Sequence, residues 1–307
     1  MEDKSGRSNR SGTFLIVLAT IGGLALLGFF SFTLMLFLLL RGSVVSVTEP
    51  SADKIGIVNI QGVISTPEKA LEALRQFRDN EQVKAIVLRI DSPGGAVGAS
   101  QEIFQEARKL NKLKPVVASL GNIAASGGYY SAVGARYIVS NPGTITGSIG
   151  VIMKLPNVRG LMDKLGIKTT VIKSGRLKDL ASITRDLTPE ERQVLKSVMD
   201  DIHQQFIQAV AESRKIPVEK VASISDGRIF SGRQAKELHL VDELGSFSTA
   251  LDRAAALGGI KGKWELLYPK KDRISVIRDI LEESGAKTIA RLAGMIEQGQ
   301  VPAALPQ

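Results

Sequence analysis

The feature that most constrains the fold is an alternation of short apolar runs with amphipathic stretches along residues 56–140. Strand-length runs separated by helical stretches predict crossover connections and parallel strands, because parallel neighbours need a long connection between them. Strands are predicted at 56–64, 85–90, 115–120 and 136–140, with helices at 67–80, 100–110 and 126–134. The predicted fold class is therefore α/β, a largely parallel sheet with flanking helices.

A longer helix is predicted to begin after Thr188. In the run Thr188-Pro-Glu-Glu191 a threonine cap precedes proline at the first helical position, and glutamate follows three residues after the cap. Apolar side chains then recur at helical spacing and indicate core or a subunit seam rather than a cofactor site: Val194, Val198, Ile202, Phe206 and Val210. Past the main body, residues 269–307 are predicted to form an amphipathic tail that is solvated or faces a subunit.

The N-terminal region contains 28 consecutive residues without charge, Thr13 to Leu40. As a helix rising about 1.5 Å per residue, this run exceeds the roughly 30 Å of a bilayer core. No clear small-residue cleavage site follows it, so we expect an uncleaved anchor at 13–40 between a tail, 1–12, and a linker, 41–54. The tail has three basic residues, whereas only Arg41 directly follows the span, which favours a cytoplasmic tail and a body outside.

Composition excludes several kinds of chemistry. The chain has no cysteine, and hence no thiol nucleophile, disulfide, Cys-ligated zinc or iron–sulfur cluster. A Ser-His-Asp triad would need His203 or His239, and both positions suggest structural roles. The net charge is +9, yet no basic run is interleaved with aromatics, so neither nucleic acid nor a metal or other cofactor is an expected partner.

Three loops rich in small residues follow predicted strands, at Asp91–Gly95, Asn122–Gly128 and Thr146–Gly150. Open α/β sheets bind ligands beyond the carboxyl ends of their strands. Glycines let backbone N–H groups approach a ligand, and paired N–H groups can hold an oxyanion. These loops are therefore the predicted location of the chemistry.

Ser126 lies where a predicted strand gives way to a helix, and its residue type allows two interpretations. It is either an ordinary N-cap or a nucleophile whose alkoxide the helix N-terminus would stabilise. A nucleophilic serine needs a base. With both histidines unsuitable, the remaining candidates are the lysines of Lys173-Ser-Gly-Arg-Leu-Lys178, a segment that could equally be a solvated basic turn.

From about Gly56 to Leu257 the chain resembles the signal peptide peptidase SppA (protease IV) family of membrane-anchored serine peptidases. The chain resembles the short form of this family, which has one peptidase domain. The family belongs to the Clp/crotonase-like superfamily. The motifs that carry it occur in the family's order and spacing: Arg89-Ile-Asp-Ser-Pro-Gly-Gly95, Ala124-Ala-Ser-Gly-Gly-Tyr-Tyr130, Thr146-Gly-Ser-Ile-Gly-Val151, Lys173-Ser-Gly-Arg-Leu-Lys-Asp179 and Gly232-Arg-Gln-Ala-Lys-Glu-Leu238.

The resemblance implies a serine peptidase domain at 55–268, with Ser126 as nucleophile and Lys178 as general base. Lys173 is the rival base from the same loop, and the motif match favours Lys178. Ser148 stands where the family has a serine that orients the lysine amine.

The resemblance also implies an oxyanion hole made of backbone N–H groups, one from the Gly94-Gly95 pair and one from Gly127. Two positions depart from the family pattern. Asp91 stands where asparagine is common, and His239 where glycine is common.

The family further implies a homo-oligomer in which the serine and lysine of one site come from neighbouring protomers. We therefore expect Ser126 and Lys178 of a single chain to be too far apart to hydrogen-bond. The implied substrates are cleaved signal peptides and other apolar peptides near the membrane. The implied location is a bacterial inner (cytoplasmic) membrane, crossed once, with the N-terminus cytoplasmic and the catalytic domain periplasmic or otherwise extracytoplasmic.

Two other functions are compatible with parts of the pattern. One is a crotonase-like acyl-CoA enzyme, but those enzymes commonly place carboxylates where this chain has Ser126, and an anchor would be unusual for them. The other is a catalytically inactive membrane scaffold, against which the presence of both Ser126 and Lys178 argues.

Overall fold

The computed structural model describes residues 23, 26–34 and 52–270. The chain divides into two compact units, Met1–Ser51 and Ala52–Gln307. In the first, residues 26–34 are helical. None of the helices within the described ranges has the length and apolar character that crossing a bilayer requires. The predicted tail at 1–12 lies outside the described residues, as do most of the predicted anchor at 13–40, linker at 41–54 and C-terminal tail at 269–307.

Within residues 52–270 the second unit contains eight strands and eight helices. The strands are β1 (Asp53–Ile64), β2 (Val83–Gly95), β3 (Val116–Ala125), β4 (Tyr137–Ser140), β5 (Ile145–Gly147), β6 (Ile229–Ser231), β7 (Glu243–Leu244) and β8 (Trp264–Leu267). The helices are α1 (Glu68–Asp79), α2 (Val97–Leu110), α3 (Gly127–Ala132), α4 (Arg159–Lys164), α5 (Pro189–Arg214), α6 (Val218–Ser223), α7 (Gly232–Glu237) and α8 (Phe247–Leu257).

The strands form one sheet in the order β6-β5-β3-β2-β1-β8, and β4 pairs with β3 and β7. Every pairing is parallel except that of β5 with β6. The predicted mostly parallel α/β sheet is thus confirmed. Ile86, Leu88 and Ile90 of β2 are fully buried, as is Val87 on the opposite face. Helices therefore cover both faces, which explains why this strand reads as a continuous apolar run.

The two faces of the sheet carry separate cores. On one face, Phe77 of α1, Ile103 of α2, Tyr129 of α3 and Phe206 of α5 are buried together. On the other, α8 packs mainly through Leu251 and three alanines.

The long helix α5 begins as predicted. Thr188 and Glu191 form a capping box with proline in the first turn. The apolar stripe along α5 divides into two halves: Phe206 and Val210 belong to the core, whereas Val198 is 48% exposed. The C-terminal half of α5 is therefore core, and the N-terminal half has a free apolar edge.

The three loops predicted beyond the strands are wholly or partly strand, and the first two extend the strands that precede them. Gly94 and Gly95 continue β2 and pair with Val63 and Ile64 of β1. Residues 122–125 likewise continue β3. Hydrogen bonding between backbones does not need apolar side chains, so the ladder continues after the apolar periodicity has ended. The extension brings the glycine pair beside the end of β3, where Ser126 begins the next element.

Candidate active site

Ser126 occupies a strained turn between β3 and α3. Its φ is 50° and its ψ is −123°, a conformation that residues other than glycine rarely adopt. Its backbone N–H donates to Gly147 O at 2.8 Å, and its carbonyl accepts from Tyr130 N at 2.8 Å. Ser126 is therefore the N-cap residue of α3, but its hydroxyl makes no capping bond. A serine whose side chain is left uncommitted at a strained strand-to-helix turn matches the geometry of a nucleophile.

Backbone groups of three glycines surround this serine. A Cβ added to Gly94, whose φ is 102°, would lie 2.6 Å from Gly127 N and 2.9 Å from Ser126 Cβ. A Cβ added to Gly127 would lie 3.2 Å from Gly95 N. The structure therefore brings together all three predicted oxyanion residues and Ser126.

The hydrogen bonds distinguish between the two amides of the glycine pair. Gly94 N donates to Ser92 Oγ at 3.1 Å, so that amide is already used. Ala96 N donates to Ile64 O of β1. Because successive N–H groups of an extended strand point to opposite sides, the Gly95 N–H faces away from β1, towards Gly127. Gly95 and Gly127, the latter in the first turn of α3, are thus the pair of amides suited to an oxyanion.

Ser148 lies next to the same turn. It follows Gly147, whose carbonyl accepts from Ser126, and has a φ of 51°. Its N–H donates to Arg228 O at 2.8 Å. Gly147 therefore links the two predicted site serines, because it precedes Ser148 in the chain and accepts a hydrogen bond from Ser126.

A small cavity of about 20 Å³ opens beside Ser126. Its apolar lining comes from Val97, Tyr130, Val151, Ile202 and Phe206. The rings of Tyr130 and Phe206 are 4.4 Å apart, which fixes α5 against α3. From the sequence alone, Ile202 and Phe206 were predicted to belong to the core or to a subunit seam, because helical spacing was the only signal that they carried.

The two candidate lysines lie elsewhere, in residues 165–188, which contain neither helix nor strand. Lys173 and Lys178 are both exposed. Within the described part of the chain, neither ammonium group has a hydrogen-bond or ion-pair partner, and no hydrogen bond joins Ser126 Oγ to Lys178 Nζ. A single chain thus assembles the serine and the amides, but not the serine and the lysine.

An ion-pair cluster anchors the Lys178 segment to the start of α5. Arg185 donates to the Asp179 carboxylate at 2.7 Å and to the Asp179 carbonyl at 2.7 Å. It also donates to both carboxylate oxygens of Glu191, at 2.6 and 2.8 Å. Hydrogen bonds from Arg185, then from Thr188 N, lower the pKa of Glu191 to about 2. The residue after Lys178 is therefore tied to a helix cap.

Neither histidine takes part in this arrangement. His203 lies on α5, and its Nε2 is buried without a hydrogen-bond partner among the described residues. His239 is exposed at the end of α7, with a φ of 60°. Neither lines the cavity beside Ser126.

A serine whose hydroxyl makes no capping bond, next to the amides of Gly95 and Gly127 at the carboxyl ends of parallel strands, is the arrangement of a serine hydrolase. Residues 108–261 match the family model described as Peptidase family S49. A putative protease of Synechocystis sp. is 45% identical over 228 residues, which cover 74% of this chain and 79% of that protein. The chain belongs to peptidase family S49 and is a serine peptidase.

Other relatives in the family are longer than the matched region. Protease 4 of Salmonella typhi is 37% identical over 233 residues, which cover 76% of this chain and 37% of that protein. The putative signal peptide peptidase SppA of Enterococcus faecium is 39% identical over 183 residues, which cover 59% of this chain and 53% of that protein. The aligned region therefore spans between about a third and just over half of these two proteins.

Proposed function

We propose that this chain is a membrane-anchored serine endopeptidase that uses a Ser126–Lys178 dyad to degrade apolar peptides, cleaved signal peptides among them. The observation that carries the proposal is the strained turn at Ser126, whose hydroxyl makes no capping bond and which lines one small cavity together with Gly95 and Gly127. Family membership supports peptide bonds as the target, and the similarity to the putative signal peptide peptidase of Enterococcus faecium supports signal peptides.

In the proposed reaction neutral Lys178 Nζ removes the Ser126 proton while Oγ attacks the scissile carbonyl. The amides of Gly95 and Gly127 donate to the resulting oxyanion. The lysinium then protonates the departing amine, which leaves an ester on Ser126. Water deprotonated by the same lysine hydrolyses this ester and regenerates the free serine. Ser148 orients the lysine amine.

We propose that Lys178 acts on the Ser126 of a neighbouring protomer. None of residues 151–190 is buried in the single chain, and several large apolar side chains there are exposed, such as Ile172 at 97%, Ile152 at 73% and Leu165 at 64%. Exposed apolar surface of this kind is typical of an interface. A second copy that covered it would bring Lys178 to the Ser126 of its neighbour, and neither side chain has a hydrogen-bond partner among the described residues of its own chain.

The membrane anchor is part of the same proposal. In the helical segment at residues 26–34 the side chains of Leu26, Leu27, Phe29, Phe30 and Phe32 are each 63 to 75% exposed. Such a surface suits lipid, and together with the uncharged run at 13–40 it supports a single span with the tail cytoplasmic. The anchor would hold the peptidase domain on the outer side of a bacterial inner membrane, where signal peptides are left.

Mixing two inactive variants tests the shared dyad. Detergent-solubilised Ser126→Ala and Lys178→Ala proteins are dissociated, mixed and reassembled, and cleavage of a fluorogenic apolar peptide is measured. Mixed oligomers contain sites with an intact serine facing an intact lysine, so we expect activity that neither variant has alone. Reassembled oligomers that stay inactive would contradict a shared site. Each variant reassembled alone is the control.

Covalent labelling tests the nucleophile itself. A fluorophosphonate probe is expected to add one adduct to Ser126, detected by intact mass, and to react far more slowly with the Lys178→Ala protein. Adduct formation at another residue, or unchanged labelling of the Lys178→Ala protein, would contradict the dyad.

A further inference from the structure

A second and larger cavity, of about 590 Å³, lies away from Ser126. It is bordered by the end of α5, by α6 and by the end of α7, and its volume is in the usual range of ligand sites. Asp242 in its wall accepts from the N–H of Ile138 near the start of β4. Ser126 follows the carboxyl end of β3, which runs parallel to β4. The cavity beside Ser126 therefore lies at the carboxyl ends of these strands, and the larger cavity lies near their amino ends.

The lining is cationic at some positions and apolar at others. The Arg214 side chain is 8% exposed and pairs with Asp242 through two hydrogen bonds, which neutralises both charges. The other charged lining residues are Lys215, Lys220, Lys236 and Glu237, which leave a net charge of +2. The apolar lining consists of Ile216, Pro217, Ile224, Leu238 and Val241. A matching ligand has an anionic end and an apolar body.

Two of the lining residues have a backbone conformation that is energetically unfavourable for residues other than glycine. Lys215 and His239 have φ values of 55° and 60°. In each case the next residue donates its N–H back to the last turn, Ile216 to Ala211 O and Leu240 to Ala235 O. This is the Schellman ending, at whose left-handed position glycine is the usual residue.

The distribution of such residues supports a functional role. Among the described residues, five other than glycine have a positive φ: Ser126, Ser148, Ala181, Lys215 and His239. Ser126 and Ser148 lie in and next to the turn of the candidate active site, and Lys215 and His239 line this cavity. Backbone strain of this kind concentrates at functional sites.

We propose that this cavity binds the free carboxylate end of an apolar peptide. The carboxylate would lie among Lys215, Lys220 and His239, whose side chains have no other partner in the part of the chain that the structure describes. The apolar side chains of the peptide would pack on Ile216 and Leu238. A serine peptidase supplies such ligands, since each cleavage creates a new C-terminal carboxylate. The proposal uses this class of activity but not the Ser126–Lys178 assignment.

The test measures binding of a fluorescein-labelled Leu-Ala-Leu-Ala peptide to the full-length Ser126→Ala protein in detergent, by anisotropy. We expect saturable binding of the free acid and about tenfold weaker binding of the C-terminal amide, as for loss of one charge-assisted hydrogen bond. Lys215→Gly and His239→Gly should each weaken binding by a similar factor. Lys112→Gln, which removes an exposed charge from the loop after α2, should not.

Thermal unfolding separates binding from a structural role. Because glycine suits both backbone positions, the two glycine variants should unfold at or above the temperature of the parent protein. If Lys215 served only to interact with the helix dipole of α5, Lys215→Gly would instead lower the melting temperature and leave peptide binding unchanged. That result would overturn the proposal, as would equal binding of acid and amide. Tighter competition by inorganic phosphate or decanoate than by unlabelled peptide would assign the cavity to a simple anion or a fatty acid instead.

Discussion

A Cβ atom added to Gly94 would lie 2.6 Å from the backbone nitrogen of Gly127, far inside normal contact distance. The two backbone segments that carry the proposed oxyanion amides therefore touch, and no side chain fits between them. We expect Gly94→Ala to displace the amide of Gly127 and to lower kcat by about 10²–10³, as removal of one oxyanion donor does elsewhere. Steady-state kinetics on a fluorogenic apolar peptide would measure this loss.

Gly98→Ala is the matched control for that variant. Gly98 lies in the first turn of α2, and a Cβ added there meets nothing within 4 Å. Its activity should equal that of the parent. Equal activity of the Gly94→Ala protein would show that the glycine pair is not part of the oxyanion hole.

Replacement of Ser126 by alanine should remove the nucleophile without loosening the fold. The hydroxyl makes no capping bond, and its backbone bonds to Gly147 and Tyr130 remain. We expect at least about a 10³-fold loss of kcat with an unchanged melting temperature. Ser248→Ala, an exposed serine in the first turn of α8, should behave as the parent. Residual turnover above a few per cent for Ser126→Ala would place the nucleophile elsewhere.

The two lysines of the Lys173–Lys178 segment are expected to differ in effect. Both are exposed in the single chain, but only Lys178 precedes Asp179, which Arg185 anchors to the start of α5. A base held in place is required for proton transfer, which contributes about 10²–10⁴ in rate. Lys178→Ala should lose activity by that factor, and Lys173→Ala should retain most of it. The reverse ranking in kcat would make Lys173 the base.

The cavity beside Ser126 should select the substrate side chain next to the scissile bond. Its volume of about 20 Å³ is close to the minimum that holds one water. We expect peptides with alanine at this position to be cleaved in preference to those with phenylalanine. Ile202→Ala should raise kcat/KM for the larger side chain by about tenfold or more, since one to a few methylenes decide such selectivity.

A control for the selectivity change lies one turn earlier on the same helix. Val198 is 48% exposed and does not line the cavity, so Val198→Ala should leave the alanine-to-phenylalanine ratio unchanged. If Ile202→Ala also leaves the ratio unchanged, the cavity does not receive that side chain.

The cluster around Glu191 should make stability depend on pH. The pKa of Glu191 is about 2, below its ordinary value of 4.5, chiefly because Arg185 donates to the carboxylate. The folded state therefore binds its proton less readily than the unfolded state does. The resulting stabilisation is complete above pH 4.5 and is lost as the pH falls towards 2. Glu191→Gln should lower the melting temperature at pH 7, and this difference should shrink as the pH falls to about 2. A constant difference across that range would contradict the assignment.

Features that depend on neighbours in the chain could be predicted from the sequence. The alternation of apolar runs predicted the parallel sheet, and Thr188 with Glu191 predicted the start of α5, because local backbone preferences and capping act within a few residues. Ser126 was also found at its strand-to-helix junction. The predicted C-terminal end of β2 was wrong, because the backbone pairing of β2 with β1 continues through Gly94 and Gly95, beyond the last apolar residue.

By itself, the sequence determined the residue types available for catalysis: no thiol, two poorly placed histidines, and a serine followed by two glycines. Only the tertiary structure decided which groups meet. It directed the N–H of Gly95, rather than that of Gly94, towards Gly127, and it brought Ile202 and Phe206 to the cavity beside Ser126. It also left the Lys178 ammonium without a hydrogen-bond or ion-pair partner among the residues that the structure describes. These outcomes depend on contacts between residues far apart in sequence, and periodicity along the chain carries no information about such contacts.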